Sequence, residues 1–466
     1  MPGLKLTPGS AYDFLSVSVD EWINNSVPID ISLFSYSTRV IQLVDQLYKD
    51  FWYEDYVESE LEDKIFGLPK SKKRQIIHKD TIIMVLMNLY HKYCISGHSG
   101  SIAISRNNNN WKKNRYNPTG TTISQIKRVL DCLMWNNLML QHMGKVGDIG
   151  GKVTRICASP ELIELFSTHD ITEDVIHLHQ ENEVIELSTK VPMEDNHWRT
   201  RNKKRILLEY NDNGFTTQAR EQVIRHINHL KQFDIQCSSY SIFTKVDTYR
   251  VKRVFNTRND FSLGGRIYAG FWQNIPSDHR NNITINGASV VELDFINCQL
   301  KITYALEGIF YKEDGYILEG YEDPVGRSIL KKILLMCLNT PSKNSARQAA
   351  QSWINECKKK DEEIYNYYKA NKIRIGKLID QFAEKHADIS GYFFKEHGLK
   401  IMRIDSDICM SIVQMFIDAN KPILTVHDSF IVKEEDEDLL KESMKSEFEK
   451  ATSIKIDDIH MLVKKE

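Results

Sequence analysis

Two aspartates stand where apolar runs end, and their surroundings favour phosphoryl transfer. In VVELDFINCQLKI, alternating apolar residues run into Asp294 and then change to a helical rhythm, so a strand should end at this carboxylate. In PILTVHDSFIV, two apolar β-rich runs are joined by His427, Asp428 and Ser429, which is typical of a hairpin with a polar tip. Taken singly, each aspartate is better explained as a turn residue or a helix cap than as a metal ligand.

Two carboxylates on adjacent strands would suit a two-metal site. Nucleotidyl transfer uses two metal ions about 3.5–4 Å apart, which activate the attacking hydroxyl and neutralise the pyrophosphate. Mg²⁺ keeps several waters and binds through one or two carboxylates plus substrate phosphates, so a sparse site fits this ion. We therefore expect Asp294 and Asp428 to be catalytic and to bind two Mg²⁺ ions, with Mn²⁺ as a substitute.

The segments around both aspartates are similar to known polymerase motifs. LDFINCQLKI resembles motif A of family A DNA polymerases, and VHDSFIV resembles their motif C or the HDS form of phage-type single-subunit RNA polymerases. GGRIYAGFWQNIP, from Gly264 to Pro276, resembles the GR and QNIP elements that precede motif A. The resemblance covers residues 263–451 and implies an α+β fold, with a right-hand palm and fingers and an antiparallel palm sheet.

The same resemblance implies which residues bind the nucleotide. GRSILKKILLMCLNT repeats the R-x-x-x-K spacing of the family's fingers helix, so Arg327 and Lys331 would share one helix face and contact the triphosphate. The family's tyrosine falls on Asn339, which leaves the stacking partner of the incoming base open. Gln299 takes the position that crowds the ribose 2′ position in DNA polymerases and favours deoxynucleotides, whereas Ser429 is the RNA-polymerase variant.

Contacts to primer and template are also implied by the resemblance. IMRIDSDICMSIVQMFI resembles the helix before motif C, with Arg403 in place of a glutamine that touches the duplex. We interpret Asp405 and Asp407 in this helix as cap and surface residues. The backbone carbonyl of Phe295 would complete the metal shell. The residues of this part expected to contact primer or template are Gly265, Arg266, Gln273, Arg280, Arg403 and His427.

The N-terminal part predicts a different kind of unit. An apolar helix over 81–93, a helix from Thr122 to Asn137, and β-like residues around the glycines of MGKVGDIGGK follow the order of a winged helix. Lys127 and Arg128 would be exposed on the second helix and contact DNA. Winged helices also bind proteins, so a scaffold role stays open. The positions of the second helix expected in the core are Ile126, Val129, Leu130 and Leu133.

We divide the chain into regions by motif and composition. They are a helical N-terminal region (1–70), a winged-helix-like domain (71–170), a linker or reduced thumb (171–250), palm with motif A (251–320), fingers (321–400) and palm with motif C (401–466). A helix is expected in REQVIRHINHLKQF, within the third region. Because little chain is left for a thumb, we expect weak processivity unless a protein partner assists.

Composition limits the class of protein. With 466 residues, 41% hydrophobic and 27% charged, the chain can form about three folding units and lies outside disordered composition. The net charge of −2 hides basic stretches such as KSKKR, WKKNR and HWRTRNKKR, which suit nucleic acid. The 8 cysteines are scattered, and no apolar stretch approaches the ~20 residues of a membrane span. We therefore expect a cytoplasmic protein without a membrane partner.

These observations favour a template-directed nucleotidyltransferase. The expected activity is that of a DNA-directed DNA polymerase of family A type without proofreading exonuclease, acting on a DNA primer–template and dNTPs in replication of a phage, plasmid or mobile element. One alternative is a primer-independent RNA polymerase or primase on the same palm. Another is a non-catalytic replication initiator, in which the winged helix binds DNA and the palm is a scaffold.

Overall fold

The computed structural model describes residues 25–51, 71–106, 111–143, 153–192, 203–239, 243–256 and 260–465. The chain forms two compact units. The first contains the residues up to Glu183 together with Ser239–Arg250, and the second contains Val184–Ser238 and the residues from Val251 onward. Helices and antiparallel strand pairs occur in both units, which confirms the predicted α+β class.

The described part of the first unit contains a sheet flanked by helices. The sheet strands are β1 (Ser26–Pro28), β3 (Ser101–Ile104), β4 (Met139–Met143) and β5 (Thr154–Ala158), in the order β1-β3-β5-β4. β1 is parallel to β3, and the other pairs are antiparallel. A further pair joins β2 (Leu33–Phe34) to β6 (His177–Leu178). The helices are α1 (38–51), α2 (Ser71–Ser96), α3 (Ile123–Trp135) and α4 (Pro160–Thr168).

α3 forms where its sequence supplies both a cap and an apolar face. The Thr122 hydroxyl accepts from the Gln125 backbone N–H, and the Gln125 side chain accepts from the Thr122 N–H, so orphan amides at the helix start are satisfied. The four predicted core positions of this helix are buried, which confirms that part of the prediction. Residues 144–152, most of the predicted wing, lie outside the described residues.

Within the described residues of the second unit, the strands form two sheets. One consists of β7 (Ile185–Pro192), β8 (Lys203–Leu207), β10 (Lys252–Asn256) and β11 (Gly264–Tyr268), in the order β11-β10-β7-β8. The other consists of β9 (Ile235–Cys237), β12 (Ile283–Ile285), β13 (Ala288–Phe295), β14 (Leu424–Val426) and β15 (Ser429–Lys433), in the order β14-β15-β13-β12-β9. β16 (Val463–Lys465) also pairs with β13, and every pairing in this second sheet is antiparallel.

The helices of the second unit bury the sheet that contains β13. They are α5 (Gly214–Leu230), α6 (Ser277–Arg280), α7 (Cys298–Ala305), α8 (Pro324–Asn339), α9 (Lys343–Lys360), α10 (Glu362–Ala370), α11 (Ile375–Lys385), α12 (Gly398–Asp418) and α13 (Glu437–Thr452). Leu293 and Phe430 on the strands and Phe416 on α12 belong to one continuous core. Full burial of such a side chain contributes about 1.5–3 kcal/mol, so this core holds the strand ends in fixed positions.

The segment over 171–250, predicted as a linker or reduced thumb, is divided between the units. Its residues 184–238 contribute β7, β8, α5 and β9 to the second unit, whereas Ser239–Arg250 belongs to the first. α5 begins at Gly214, six residues before the predicted helix, because Asn213 forms a capping box with Thr216. Its role as a thumb stays a prediction.

Candidate active site

The two predicted metal ligands lie close together, Asp294 on β13 and Asp428 in the turn before its partner strand β15. In the register of β13 and β15, Asp294 lies opposite Ser429, and the Phe295 N–H donates to the Asp428 carbonyl oxygen at 3.3 Å. His427, in the two-residue turn before β15, has φ of 61°, a conformation that non-glycine residues adopt rarely. The Asp294 and Asp428 side chains are 23% and 32% exposed, so both carboxylates are accessible from solvent.

Glu292 lies on the same face of β13 as Asp294, two residues earlier, and is buried. Its carboxylate accepts from the Ser429 hydroxyl at 2.5 Å and from the Arg280 Nε at 2.7 Å. The buried charge is therefore balanced within the protein. Arg280, predicted to contact primer or template, is an ion-pair partner of Glu292 in this structure, and Ser429 has a role within the sheet.

Arg266 connects a buried carboxylate to the predicted metal ligand Asp428. Its guanidinium binds Asp405 through Nε at 3.1 Å and Nη2 at 2.5 Å, and Nη2 lies 3.8 Å from Asp428 Oδ1. The Asp405 side chain is 2% exposed, so its interpretation as a cap or surface residue is wrong. Burial raises the pKa of Asp405 to about 6, and the Arg266 guanidinium opposes that rise. The Asp405 carboxylate therefore carries its charge at neutral pH.

Acidic groups converge around the buried thiol of Cys298, at the start of α7. Burial raises the pKa of this thiol, and the carboxylates of Asp428 and Asp405 raise it further, with a smaller contribution from Asp294. These carboxylates come from β13, the β14–β15 turn and α12. The fold thus gathers them at one site from parts of the sequence that are far apart.

Other predicted primer or template contacts bind within the protein. The Gln273 amide donates to the Thr425 carbonyl at 2.7 Å, which holds β14 in place. Arg403 donates to Asp407 at 2.9 Å and its guanidinium lies 4.7 Å from the Phe215 ring centroid. Asp407 is half-exposed and also pairs with Arg253, so it is not a helix cap.

Close packing and a positive φ angle explain why residue 265 is a glycine. Its φ is +94°, and a Cβ would lie 2.8 Å from the Ser406 hydroxyl and 2.8 Å from a Phe255 ring carbon. This packing brings β11 against α12 and so sets the position of the neighbouring Arg266. The nucleic-acid contacts predicted for these glycine, glutamine and arginine positions stay predictions.

The two predicted fingers cations share one face of α8, as their spacing indicates. The helix begins after Asp323, whose carboxylate accepts from the backbone N–H groups of Val325 and Gly326. The Arg327 guanidinium lies 5.4 Å and the Lys331 Nζ 5.8 Å from the ring centroid of the same buried residue, Tyr316.

Arg327 also donates to the Asp314 carboxylate at 2.6 Å. This ion pair and the aromatic ring of Tyr316 hold the guanidinium in one orientation. Neither Asp314 nor Tyr316 belongs to a motif, so the sequence did not indicate either residue as a partner of the fingers cations.

Asn339 is held by its own helix and by α12. Its amide nitrogen donates to the Leu335 carbonyl at 2.7 Å. A Cβ at Gly398, the first residue of α12, would lie 1.9 Å from the Asn339 side-chain oxygen, so the two helices approach closely here. Contact between Asn339 and a nucleotide stays a prediction.

Buried polar atoms beside both aspartates lack partners among the described residues. They are Asn297 Nδ2 and Gln299 Oε1, shortly after Asp294, and His427 Nδ1, just before Asp428. An unsatisfied buried polar atom costs about 1–3 kcal/mol, which a bound ligand would recover. Burial and the nearby Arg266 lower the pKa of His427, so its ring is neutral at physiological pH and can accept as well as donate.

Lys464 is a residue near the site that the motifs did not indicate. β16 places it opposite Asp294, with Nζ 3.5 Å from the Asp294 carboxylate. Within the described residues, no group of three or more His, Cys, Asp or Glu side chains is arranged to hold a metal. A pair of accessible carboxylates nevertheless fits Mg²⁺, which takes its other ligands from water and phosphate.

Comparison with known proteins identifies a solved structure that is similar to part of the chain. No protein-family model matches the chain, and no curated protein matches it. Among solved structures, the chain is similar to the POL domain of Pol1 from M. smegmatis in complex with DNA primer-template and dNTP, with 14% identity and a TM-score of 0.29. The match covers 54% of this chain and 50% of that chain, so it spans half the length of the related structure. In the described residues, no helix is long and apolar enough to cross a membrane.

Proposed function

We propose that the second unit is the catalytic part of a template-directed nucleotidyltransferase, a DNA-directed DNA polymerase of family A type. The observation that carries this proposal is the placement of Asp294 on β13 and of Asp428 in the turn just before its partner strand β15, with both carboxylates accessible and both strands packed in a buried core. Two Mg²⁺ ions bound there would activate the primer hydroxyl and neutralise the leaving pyrophosphate. The Phe295 carbonyl is an additional candidate ligand.

The surrounding residues divide the remaining tasks. Arg327 and Lys331 present two cations from one helix face, an arrangement that suits a triphosphate. In this proposal Gln299 contacts the ribose and His427 the primer terminus, which is supported by a buried, unsatisfied polar atom on each side chain. Arg266 remains paired with Asp405, so its charge stabilises Asp428 without replacing a metal ion.

Deoxynucleotides are the favoured substrates. The bulk of Gln299 beside the motif A aspartate disfavours a 2′-hydroxyl, and its buried oxygen supports a position inside the site. Ser429, the feature that favoured an RNA polymerase, donates its hydroxyl to Glu292, which explains the serine without reference to the sugar. The partners in this proposal are a DNA primer–template, dNTPs and a protein that raises processivity, and the setting is replication of a phage, plasmid or mobile element.

Primer extension by the purified protein tests this function. Asp294→Asn and Asp428→Asn each keep the shape of the side chain and remove a metal ligand, so each should lower incorporation about 1,000-fold, equivalent to about 4 kcal/mol. Asp438→Asn, at a carboxylate that is 99% exposed, is the matched control and should retain full activity.

The substrates in the same assay separate the alternatives. dNTPs and rNTPs are supplied separately on primed and unprimed templates. Unprimed synthesis from rNTPs would replace the DNA polymerase with a primase or RNA polymerase. Full incorporation by both aspartate variants would refute a catalytic palm and favour a non-catalytic initiator.

A further inference from the structure

The first unit carries an exposed basic surface beside α3. Lys127 and Arg128 are exposed on the helix, and Lys112 and Lys113 are exposed in the loop that precedes it. In the part of the chain that the structure describes, no carboxylate forms an ion pair with any of these four cations. Their charges are therefore available to an external anion.

The loop over 111–121 is anchored so that its lysines lie next to α3. Trp111 is buried, and its indole N–H donates to the Ser105 carbonyl at 2.6 Å. The Asn117 amide donates to the Thr121 carbonyl at 2.8 Å and to the Lys112 carbonyl at 3.4 Å. Since one side chain bridges these two carbonyls, the backbone of Lys112 lies beside the first turn of the helix. The exposed lysines of WKKNR therefore follow a backbone position close to the start of the helix that carries Lys127 and Arg128.

An exposed aromatic ring lies at the other end of this surface. Trp135 is 75% exposed, although burying so large an apolar side chain would normally be favourable. It follows Arg128 by seven residues, two helical turns, and therefore lies on the same face about 10 Å along the helix. We call Lys112, Lys113, Lys127, Arg128 and Trp135 the α3 surface.

The charge between the cations and the ring indicates how nucleic acid would lie. Asp131 occupies the same helix face between Arg128 and Trp135, and Arg106 approaches it to 4.0 Å. A helix inserted deep into a duplex groove would bring this carboxylate towards the phosphates. Contact on either side of Asp131 avoids that repulsion, with phosphates at the cations and a base at the ring.

We propose that the α3 surface binds single-stranded nucleic acid, through phosphate contacts to its four cations and stacking of Trp135 on an unpaired base. Such a combination of cations and an aromatic platform is how proteins hold single strands without reading their sequence. The proposal concerns the first unit and does not depend on the proposed polymerase function.

Binding of labelled 15-nucleotide single strands and a 15-base-pair duplex to the full chain tests the proposal, measured by fluorescence anisotropy without metal or nucleotide. Trp135→Ala should weaken single-strand binding about 5- to 100-fold and duplex binding less than twofold. Ile41→Ala, at an exposed apolar residue of α1, is the matched control and should leave both unchanged.

The salt dependence tests the cations separately. Lys112→Glu combined with Lys113→Glu should weaken binding and reduce the slope of log K against log salt by about 1.4, as expected for two lost single-strand phosphate contacts. Lys49→Glu, at an exposed lysine of α1, should change neither.

Several results would overturn the proposal. One is that Trp135→Ala binds single strands as tightly as the wild type does. Another is that the variant weakens duplex and single-strand binding equally. The third is that Trp135→Ala changes only the oligomeric state measured by sedimentation, which would indicate a protein contact. Single strands of DNA and of RNA are tested in parallel. If Trp135→Ala weakens the binding of either strand, the proposal is supported and that strand is identified as the ligand.

Discussion

Replacing Asp405 with asparagine should weaken metal binding at Asp428, although Asp405 is not itself a proposed metal ligand. The Arg266 guanidinium is held by Asp405, and its nearest other carboxylate is Asp428, at 3.8 Å. When the Asp405 charge is lost, we expect the guanidinium to move towards Asp428. It would then compete with a metal ion for that carboxylate.

The expected size follows from Coulomb's law. With an effective dielectric constant of about 20, opposite unit charges attract by about 4.4 kcal/mol at 3.8 Å and about 5.9 kcal/mol at 2.8 Å. The difference of about 1.5 kcal/mol corresponds to roughly tenfold weaker metal binding, and solvent near the partly exposed Asp428 reduces it to several-fold. The variant should also lose about 3 kcal/mol of stability, because a buried arginine loses its main partner.

Mn²⁺ binding by electron paramagnetic resonance, with urea unfolding in parallel, measures both effects. In Asp405→Asn combined with Arg266→Met no guanidinium competes, so Mn²⁺ affinity should return to within twofold of the wild-type value. Asp407→Asn, at the neighbouring half-exposed carboxylate, is the control and should bind Mn²⁺ normally. The reasoning is refuted if Asp405→Asn binds Mn²⁺ as the wild type does, or if the double variant stays as weak as the single one.

Three further predictions concern sugar choice, the neighbouring cation and acid stability. Gln299→Gly should lower the preference for dNTPs over rNTPs at least tenfold in single-nucleotide incorporation, and an unchanged ratio would remove Gln299 from sugar selection. Lys464→Met should tighten Mn²⁺ binding, because it removes an ammonium group 3.5 Å from Asp294 that repels the metal ion. The gain should be only two- to threefold, because the lysine is about half exposed and solvent screens its charge; weaker binding would contradict this. Burial raises the pKa of Asp247 in the first unit, but interactions with His91, Arg250 and the Thr244 backbone N–H outweigh it and lower this pKa to about 2. Because this pKa is lower in the folded than in the unfolded chain, the ionised carboxylate stabilises the fold above about pH 4. This stabilisation is lost as the pH falls towards 2 and the carboxylate is protonated. At pH 7, Asp247→Asn should therefore lower the opening free energy of residues 243–250 by up to about 2 kcal/mol, measured as faster amide hydrogen exchange. At pH 3 the opening free energies of wild type and variant should differ less.

Local sequence patterns predicted those features of the fold and the site that are determined by residues close together along the chain. The helical spacing of apolar residues gave the buried face of α3. The change from alternating to helical rhythm predicted a strand end at Asp294, one residue before β13 ends at Phe295. The R-x-x-x-K spacing placed Arg327 and Lys331 on one face of α8. These relations are fixed by helix and strand geometry alone.

The contacts that support the site could not be predicted in the same way. Arg266 and Asp405 are 139 residues apart, and Ser429 and Glu292 are 137 residues apart. An aspartate on an amphipathic helix is usually exposed, so Asp405 was assigned to the surface, whereas the close packing of β11 on α12 buries it. Lys464 lies outside every motif, and only the pairing of β16 with β13 brings it to Asp294.

The hydrogen bond between Ser429 and Glu292 has a consequence for how relatives of this chain should vary. Ser429→Glu would place a second carboxylate against the buried Glu292, at a position where the serine hydroxyl now lies 2.5 Å away. A single substitution at either position is therefore disfavoured, while a paired exchange is tolerated. In related sequences, we expect these two positions to change together.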